Sequence, residues 1–360
     1  MKRFLKRLLG AFVILLVIVI AGVLFVGWSA FSFSADKVTA ADYSGIIADN
    51  ITGDPRVVDI AMLGAHDAFS DKITPKNAVD PQDAADGILN NGAVRFLGSG
   101  MIFRLSKAQR SGAYDLLTRG VRYFDVRVTI SEGEWYTVHG QLSDKLDGYL
   151  TETVKFLSEN PGELIIFDMQ HVKTGDKTFA DLFAHIGSVE YEGLSLLDFV
   201  RFDPFTVPLG SLTYSEAVSG GAGVVILAKT GQYSGCAHYE YEEAIRSNWH
   251  EHNSSEVMLE RITAEYDALC ADPALDRNKF RVNQAQKTGL LTGEGIANTI
   301  FGWSLLDFAY NFNPELVANE SFDAWLTVMP IFMVDYADSM KGGFNDKVIG
   351  RINAFNASLL

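Results

Sequence analysis

Cysteine is nearly absent from this sequence. Its 360 residues include only Cys236 and Cys270, which do not form a CxxC motif. This scarcity excludes a small scaffold held together by many disulfides and leaves no CxxC redox site. The two thiols could pair in an oxidising compartment or remain free, and both alternatives stay open.

Basic residues are also scarce. The chain has 30 Lys and Arg against 45 Asp and Glu, a formal net charge of −15. Four of the basic residues and none of the acidic ones lie in the first 35 positions, so the remainder carries a net charge of −19. A surface of this sign repels phosphate backbones, and nucleic acid is therefore not an expected partner.

Only one apolar run is long, and it lies at the N-terminus. Four basic residues within the first seven precede an apolar stretch from Leu8 to Trp28, which is long enough to cross a bilayer. We expect residues 1–28 to be a transmembrane anchor with the basic end in the cytoplasm, or else a cleaved signal peptide. Both alternatives export the rest of the chain, as a membrane-anchored extracytoplasmic domain or as a secreted or periplasmic one.

The remaining residues divide into a linker, 29–56, and one domain, 57–360, in which apolar strand-like runs alternate with helical patterns. This order is typical of an α/β protein with a parallel sheet covered by helices. Predicted strands span Val57–Leu63, Tyr123–Val128, Trp135–Val138, Glu163–Val172, Gly223–Lys229, Lys279–Gln286 and Leu326–Tyr336. Predicted helices span Gln109–Arg119, Asp147–Asn160, Phe179–Ile186, Ile296–Tyr310 and Asp346–Leu359, and Glu240–Ala271 is predicted to be mostly helical.

Polar residues stand at the C-terminal ends of at least five predicted strands: His66, Arg127, Gln170, Lys229 and Asp335. No glycine-rich phosphate loop follows the first strand, which argues against an open dinucleotide-binding sheet. Strand ends from the start and the finish of the chain would have to meet. We therefore predict a TIM-type (β/α) barrel with its site at the C-terminal face.

The segment from Leu116 to Gly140 concentrates the chemistry. Asp125 and Arg127 alternate with apolar residues, so a strand would place a carboxylate and a guanidinium on one face. A second short apolar run ends at His139, which leaves an imidazole at a strand terminus. We expect these three side chains to converge.

Five segments in order resemble the catalytic X-domain of bacterial phosphatidylinositol-specific phospholipases C. They are MLGAHDAFS, GVRYFDVRV, VHG, PGELIIFDMQH and VDYAD, and the resemblance extends over about residues 57–340. It implies a distorted barrel that cleaves a lipid phosphodiester with two histidines, so a phospholipid or another phosphodiester is the expected substrate and the N-terminal helix the expected membrane contact.

The resemblance also implies a role for each matching residue. His66 would be the general base that deprotonates the inositol 2-hydroxyl, which attacks phosphorus to form a cyclic phosphate, and His139 the general acid that protonates the leaving oxygen. Arg127 would bind the phosphate, Asp335 would orient His66, and Asp67 would complete the network around Arg127.

Arg127 stands where the eukaryotic relatives place a calcium-binding carboxylate, so the resemblance implies catalysis without a metal or any other cofactor. Lys229 stands where the bacterial enzymes have an arginine, and two glutamines replace an expected aspartate and tyrosine, so the headgroup is open. The candidate substrate-binding residues are Asp125, Asp168, Gln170, Lys229, Gln284 and Gln286.

Two other functions remain as alternatives. One is a glycerophosphodiesterase or sphingomyelinase-D-like barrel, which would need a divalent cation, and the other is a barrel that binds ligands without turnover. Two further histidine positions are interpreted as structural: His171 should face away from the site by strand alternation, and His250 should lie on a solvated helix.

Overall fold

The computed structural model describes residues 10, 12–22, 41–82, 100, 102–231, 234–235, 237–289 and 304–359. The strands are β1 Met62–Ala68, β2 Val121–Val126, β3 Val128–Ser131, β4 Glu134–His139, β5 Gln141–Lys145, β6 Leu164–Met169, β7 Val172–Lys173, β8 Glu190–Tyr191, β9 Leu194–Ser195, β10 Gly223–Ala228, β11 Tyr239–Glu240, β12 Ile245–Trp249, β13 Phe280–Gln284 and β14 Ile331–Val334. The helices are α1 Ala113–Thr118, α2 Leu146–Glu159, α3 Phe179–Ser188, α4 Tyr214–Ala217, α5 Tyr241–Ala244, α6 Ser255–Ala271, α7 Leu305–Ala318, α8 Phe322–Leu326 and α9 Phe344–Asn356.

Eight strands form one sheet in the order β11-β10-β6-β2-β1-β14-β13-β12, and all of its pairings are parallel. The central strands β2, β6 and β10 are buried along their whole length. Side chains fill the barrel interior on one face of the sheet, and helices cover the other face. The two edge strands, β11 and β12, do not pair with each other among the described residues. The result is a distorted, incompletely closed (β/α) barrel, as predicted.

The first and last strands of the domain meet because β1 pairs with both β14 and β2. Gly64 permits this close approach: a Cβ atom there would lie 3.1 Å from the Cα of Met333 and 3.2 Å from the ring of Tyr123. Side chains from opposite ends of the sequence therefore share one end of the barrel.

A second sheet has the strand order β5-β4-β3-β7, and its strand β3 follows β2 after a single residue. Arg127 is the residue between β2 and β3, and its carbonyl accepts a hydrogen bond of 3.1 Å from the Val138 amide near the end of β4. The neighbouring residue, His139, is the last of β4. This sheet thus returns the chain to the barrel mouth beside Arg127.

Some predicted elements were wrong. Residues 245–249 are a barrel strand, β12, instead of the middle of a long helix, because α5 is a single turn and the long helix α6 begins only at Ser255. The first predicted strand begins at Met62, after a 3-10 turn at Val57–Asp59. The last barrel strand is limited to Ile331–Val334. The predicted helix from Ile296 begins at Leu305 in the described part, and residues 296–303 lie outside it.

Residues 41–56, which the sequence assigns to the linker, pack on the N-terminal end of the barrel. There Arg122 and Glu163, both completely buried, form an ion pair of 2.5 Å. Glu163 accepts hydrogen bonds from the amides of Ile47 and Ala48, and Arg122 donates to the Tyr43 carbonyl. The pair satisfies its own charges while it fastens this segment.

Residues 12–22 are helical and largely exposed. In the stretches that the structure describes, no helix has both the length and the apolar character to cross a membrane. Residues 1–9 and 23–40, which include both ends of the predicted span, lie outside the described residues. Cys236 also lies outside them, and the other cysteine, Cys270, is exposed on α6.

Candidate active site

A cavity of about 580 Å³ opens at the C-terminal ends of the barrel strands. One wall holds His66, Arg127 and His139, and another holds Gln284 and Gln286. The location matches the face at which barrel enzymes carry their catalytic groups. The predicted convergence of the strand ends is present for these residues.

His66 lies near the end of β1 and contacts acidic residues through both ring nitrogens. Its Nδ1 lies 2.7 Å from Oδ1 of Asp335, and its Nε2 lies 3.2 Å from Oδ2 of Asp67. Burial lowers the pKa of His66, but Asp67 and Asp335 outweigh that effect and raise it to about 9. With Nδ1 on Asp335, the ring directs Nε2 toward Arg127, whose Nη2 is 3.2 Å away.

Asp67 is the hub of the site. Its Oδ1 is 2.5 Å from Arg127 Nε, and its Oδ2 is 2.9 Å from His139 Nδ1 and 3.2 Å from His66 Nε2. Burial of this carboxyl raises its pKa, but the charges of Arg127 and the two histidines hold the pKa well below its usual range. Asp67 is therefore an anion that contacts Arg127 and both histidines.

The local backbone explains how consecutive residues face the same site. In a regular strand His66 and Asp67 would point to opposite faces. Asp67 instead has a φ of 43°, and the register of β1 against β2 shifts between Ala65 and Ala68. This irregularity at the strand end turns both side chains toward Arg127.

His139 is the second histidine of the site. Its Nδ1 contacts Asp67 and lies 2.9 Å from the carbonyl oxygen of Ser106, and its ring centroid is 6.0 Å from that of His66. The Nε2 atom is thus the nitrogen left for a ligand. Two imidazoles at this separation can act on two oxygens of one phosphate.

Asp125 and Asp168 lie beneath this layer. Asp125 Oδ2 is 3.2 Å from Arg127 Nη2 and accepts a 3.1 Å hydrogen bond from the Asp67 amide. Its register partner on β6, Asp168, accepts a 2.5 Å hydrogen bond from the Tyr123 hydroxyl. Burial, and then the nearby charge of Asp125, raise the pKa of Asp168 well above its usual value. Neither carboxylate lines the cavity in the described part of the chain, and their assignment to substrate binding stays a prediction.

The predicted headgroup residues separate into two groups. Gln170, Gln284 and Gln286 line the cavity. Within the part of the chain that the structure describes, Lys229 does not line the cavity: its side chain is 54% exposed and its ammonium pairs with Glu242 at 2.9 Å, and its assignment to substrate binding stays a prediction.

Sequence reasoning missed several cavity residues, among them His171, Trp249 and Lys287. His171 was expected to point away, but β6 ends at Met169, so strand alternation does not apply to it. Trp249 was hidden by the wrong helix assignment, since it ends β12. For Lys287 the only available signal was its position just after a predicted strand.

His66, Asp67 and Asp125 also offer donor atoms that lie within 4.8 Å of one another, a grouping able to hold a metal ion. Both of these carboxylates already contact the guanidinium of Arg127. A divalent cation bound there would lie against that fixed positive charge, which repels it. The donor set therefore fits the arginine better than a metal.

Comparisons with known proteins agree with the fold and the motifs. No family model matches the chain. The PI-PLC X domain-containing protein 2 of mouse and of human is 28% identical to it over 149 residues, which is 40% of this chain and 43% and 48% of those proteins. The variant-surface-glycoprotein phospholipase C of Trypanosoma cruzi is 29% identical over 133 residues, 34% of this chain and 35% of that protein. The matches thus span less than half the length of these relatives.

Solved structures match over most of the chain. The phosphatidylinositol-specific phospholipase C of Staphylococcus aureus, as its F249X mutant, superposes with a TM-score of 0.58 at 16% identity, covering 89% of this chain and 99% of that one. The enzyme of Listeria monocytogenes gives a TM-score of 0.56 at 14% identity, with coverage of 87% and 98%. The fold is therefore that of the bacterial phosphatidylinositol-specific phospholipases C, and the resemblance to the X-domain family is confirmed.

Proposed function

From the resemblance to the X-domain family and the shared fold, we propose that this chain cleaves a lipid phosphodiester by acid–base catalysis between His66 and His139, without a metal ion. The observation that carries the proposal is the arrangement around Arg127. Both histidines and the Arg127 guanidinium contact the same carboxylate, Asp67. The Nδ1 atom of each histidine is also held by the protein, through Asp335 and Asp67 respectively. A phosphate bound to Arg127 would have an imidazole near each of two oxygens.

The reaction needs one proton taken and one given. His66 Nε2 accepts the proton of the headgroup hydroxyl next to the phosphate, and that oxygen attacks phosphorus. His139 Nε2 gives a proton to the oxygen of the departing diacylglycerol as the P–O bond breaks. The product is a cyclic phosphodiester, and Arg127 stabilises the negative charge that builds on the non-bridging oxygens.

The electrostatics of the site set a condition on this mechanism. With a pKa of about 9, His66 is protonated in the free protein at neutral pH, and only about one molecule in a hundred holds the base form at pH 7. The value of kcat/KM should therefore rise with pH up to about 9. Asp67 and Asp335 keep the ring oriented, but they also hold its proton.

A matched pair of variants tests the proposal. We expect His139→Ala to lower kcat/KM by about 10²- to 10⁴-fold, because the leaving oxygen loses its proton donor. The control is His185→Ala. His185 lies on α3 away from the cavity and also contacts an aspartate, Asp147, so its replacement should leave the rate unchanged. Phosphorus NMR with inositol-lipid and choline-lipid vesicles measures turnover and identifies a cyclic phosphate. A His139→Ala protein with full activity would overturn the mechanism.

Extracytoplasmic placement belongs to the same proposal and rests on the sequence of residues 1–28 alone. The metal-dependent and the non-catalytic alternatives are distinguished by the same assay. Activity that disappears on chelation and returns with calcium would favour the former. A folded wild-type protein that turns over no phosphodiester would favour the latter.

A further inference from the structure

Asp168 is a buried acidic residue that the proposed mechanism does not use. It lies near the end of β6, and only 1% of it is exposed. Its register partners on the two neighbouring strands are Asp125 of β2 and Leu227 of β10, so neither strand supplies a positive charge beside it. Within the part of the chain that the structure describes, no basic side chain forms an ion pair with Asp168.

The groups that bind the Asp168 carboxyl are neutral donors. Its Oδ2 accepts a hydrogen bond of 2.5 Å from the Tyr123 hydroxyl, and its Oδ1 accepts one of 3.2 Å from the Gln170 amide. These bonds and the charge of Arg127 lower the pKa of Asp168, but burial and the neighbouring charge of Asp125 outweigh them. A buried carboxylate that lies beside a second carboxylate and lacks a counter-charge takes up a proton.

Asp125 has one oxygen with several partners and one with none. Its Oδ2 accepts a 3.1 Å hydrogen bond from the Asp67 amide and lies 3.2 Å from Nη2 of Arg127. Its Oδ1 is buried and has no hydrogen-bond partner among the described residues. Leaving a buried carboxylate oxygen without a donor is costly. A proton on Asp168, the register partner of Asp125, is the donor that this oxygen lacks.

The charge around Arg127 gives a functional reason for a neutral Asp168. The guanidinium already contacts two carboxylates, Asp67 at 2.5 Å and Asp125 at 3.2 Å. An ionised Asp168 would add a third buried negative charge close to a single arginine. That charge would weaken the attraction of Arg127 for a phosphate, whereas a protonated Asp168 adds none.

We propose that Asp168 is a neutral positioning residue whose carboxyl donates a hydrogen bond to Oδ1 of Asp125 and thereby holds Asp125 and Arg127 in place for the phosphate. Its effect on the rate rests on the proposed function, but its protonation does not. The titratable groups that face it are Tyr123 and Asp125 of β2, Arg127 after that strand and Tyr241 of α5. Burial raises the pKa of both tyrosines, so neither becomes an anion near neutral pH.

The first test compares two replacements of Asp168 in a turnover assay. Asp168→Asn keeps a neutral side chain of the same shape with a donor for Asp125, so kcat/KM should fall by less than about fivefold. Asp168→Leu removes that donor and should lower kcat/KM by about 10- to 100-fold, the value of a hydrogen bond to a charged group. Equal losses in the two variants, or a wild-type rate in Asp168→Leu, overturn the positioning role.

The second test measures the protonation of Asp168 without turnover. An aspartate has a pKa of about 3.9 in the unfolded chain, and a raised pKa in the folded protein means that folding takes up a proton. The stability from this proton is complete below pH 4 and is lost as the pH rises toward the folded pKa. The unfolding constant of the wild type should therefore increase relative to that of Asp168→Asn by about tenfold per pH unit above 4.

Urea unfolding of wild type and Asp168→Asn from pH 4 to pH 7 measures this ratio. Asp338→Asn is the matched control, because Asp338 is also buried but pairs with Arg110, and it should show no such gain in stability. A ratio for Asp168→Asn that stays constant over this range means that Asp168 is ionised, and it overturns the inference whether or not the chain is active.

A binding measurement separates this inference from the proposed function. Calorimetry with inorganic phosphate should give the same affinity for wild type and Asp168→Asn and about 10- to 100-fold weaker binding for Asp168→Leu. Those results in a chain that turns over no phosphodiester would support the inference and overturn the proposed function. Equal phosphate affinity in all three proteins would overturn the positioning role and leave the proposed function intact.

Discussion

Replacing Asp335 by asparagine should move the pH dependence of the reaction. Oδ1 of Asp335 is 2.7 Å from His66 Nδ1, and the two side chains are only 2% and 12% exposed. The carboxylate favours the protonated ring, whereas an amide of the same shape can accept the Nδ1 proton without supplying a charge. The substitution thus removes a charge while it retains the orienting contact.

The size of the shift follows from the kind of bond that is lost. Hydrogen bonds to charged groups contribute about 1.5–3 kcal/mol and neutral ones about 0.5–1.5, a difference of roughly one pKa unit. The pKa of His66 should therefore fall from about 9 to about 8, with Asp67 responsible for the elevation that remains. At pH 7 the base form would increase about tenfold.

Two measurements check this shift. The first is the acidic limb of kcat/KM against pH with a soluble phosphodiester substrate, and the second is NMR titration of the His66 ring, which does not require turnover. Asp338→Asn is the control, because Asp338 is also buried in the segment after β14 but pairs with Arg110 away from the cavity. If Asp335→Asn shifts neither the acidic limb of kcat/KM nor the titration curve of the His66 ring, the electrostatic role assigned to Asp335 is refuted.

Two further predictions concern the effect of metal removal on turnover and the buried ion pair at the N-terminal end of the barrel. Excess EDTA should leave wild-type turnover unchanged, because the carboxylates of Asp67 and Asp125 already contact the Arg127 guanidinium; loss of activity that calcium restores would contradict this. Glu163→Gln should lower the free energy of unfolding in urea by about 3–5 kcal/mol, since it leaves a buried arginine without its counter-charge. The exposed Glu159→Gln should change it by less than about 0.5 kcal/mol, and similar values for both variants would rule out this role of the buried pair.

The motifs around the cavity were predictable because their patterns are local. Alternation along the strand put Asp125 and Arg127 on one face, and an apolar run that stops at His139 indicated a strand end. These features depend on backbone geometry within about ten residues, which the sequence specifies directly. The parallel barrel followed from the repeated order of strands and helices.

Errors arose where local pattern and tertiary context disagree. The sequence around Ile245–Trp249 has no strong strand alternation, and it forms a strand because it pairs along its whole length with β13. A pairing partner distant in sequence decided this outcome, and a single sequence does not show it.

The sequence by itself determined which groups are available: two histidines, an arginine and several carboxylates, each delivered to the end of a strand. Only the tertiary structure decided which of them touch. His66 and Asp335 are 269 positions apart and meet because β1 pairs with β14, and Asp67 becomes the hub because β1 is irregular beside Arg127. Strand order and local backbone distortion set the distances between these side chains. Hydrogen bonds and pKa values depend on those distances, which residue composition and spacing along the sequence do not encode.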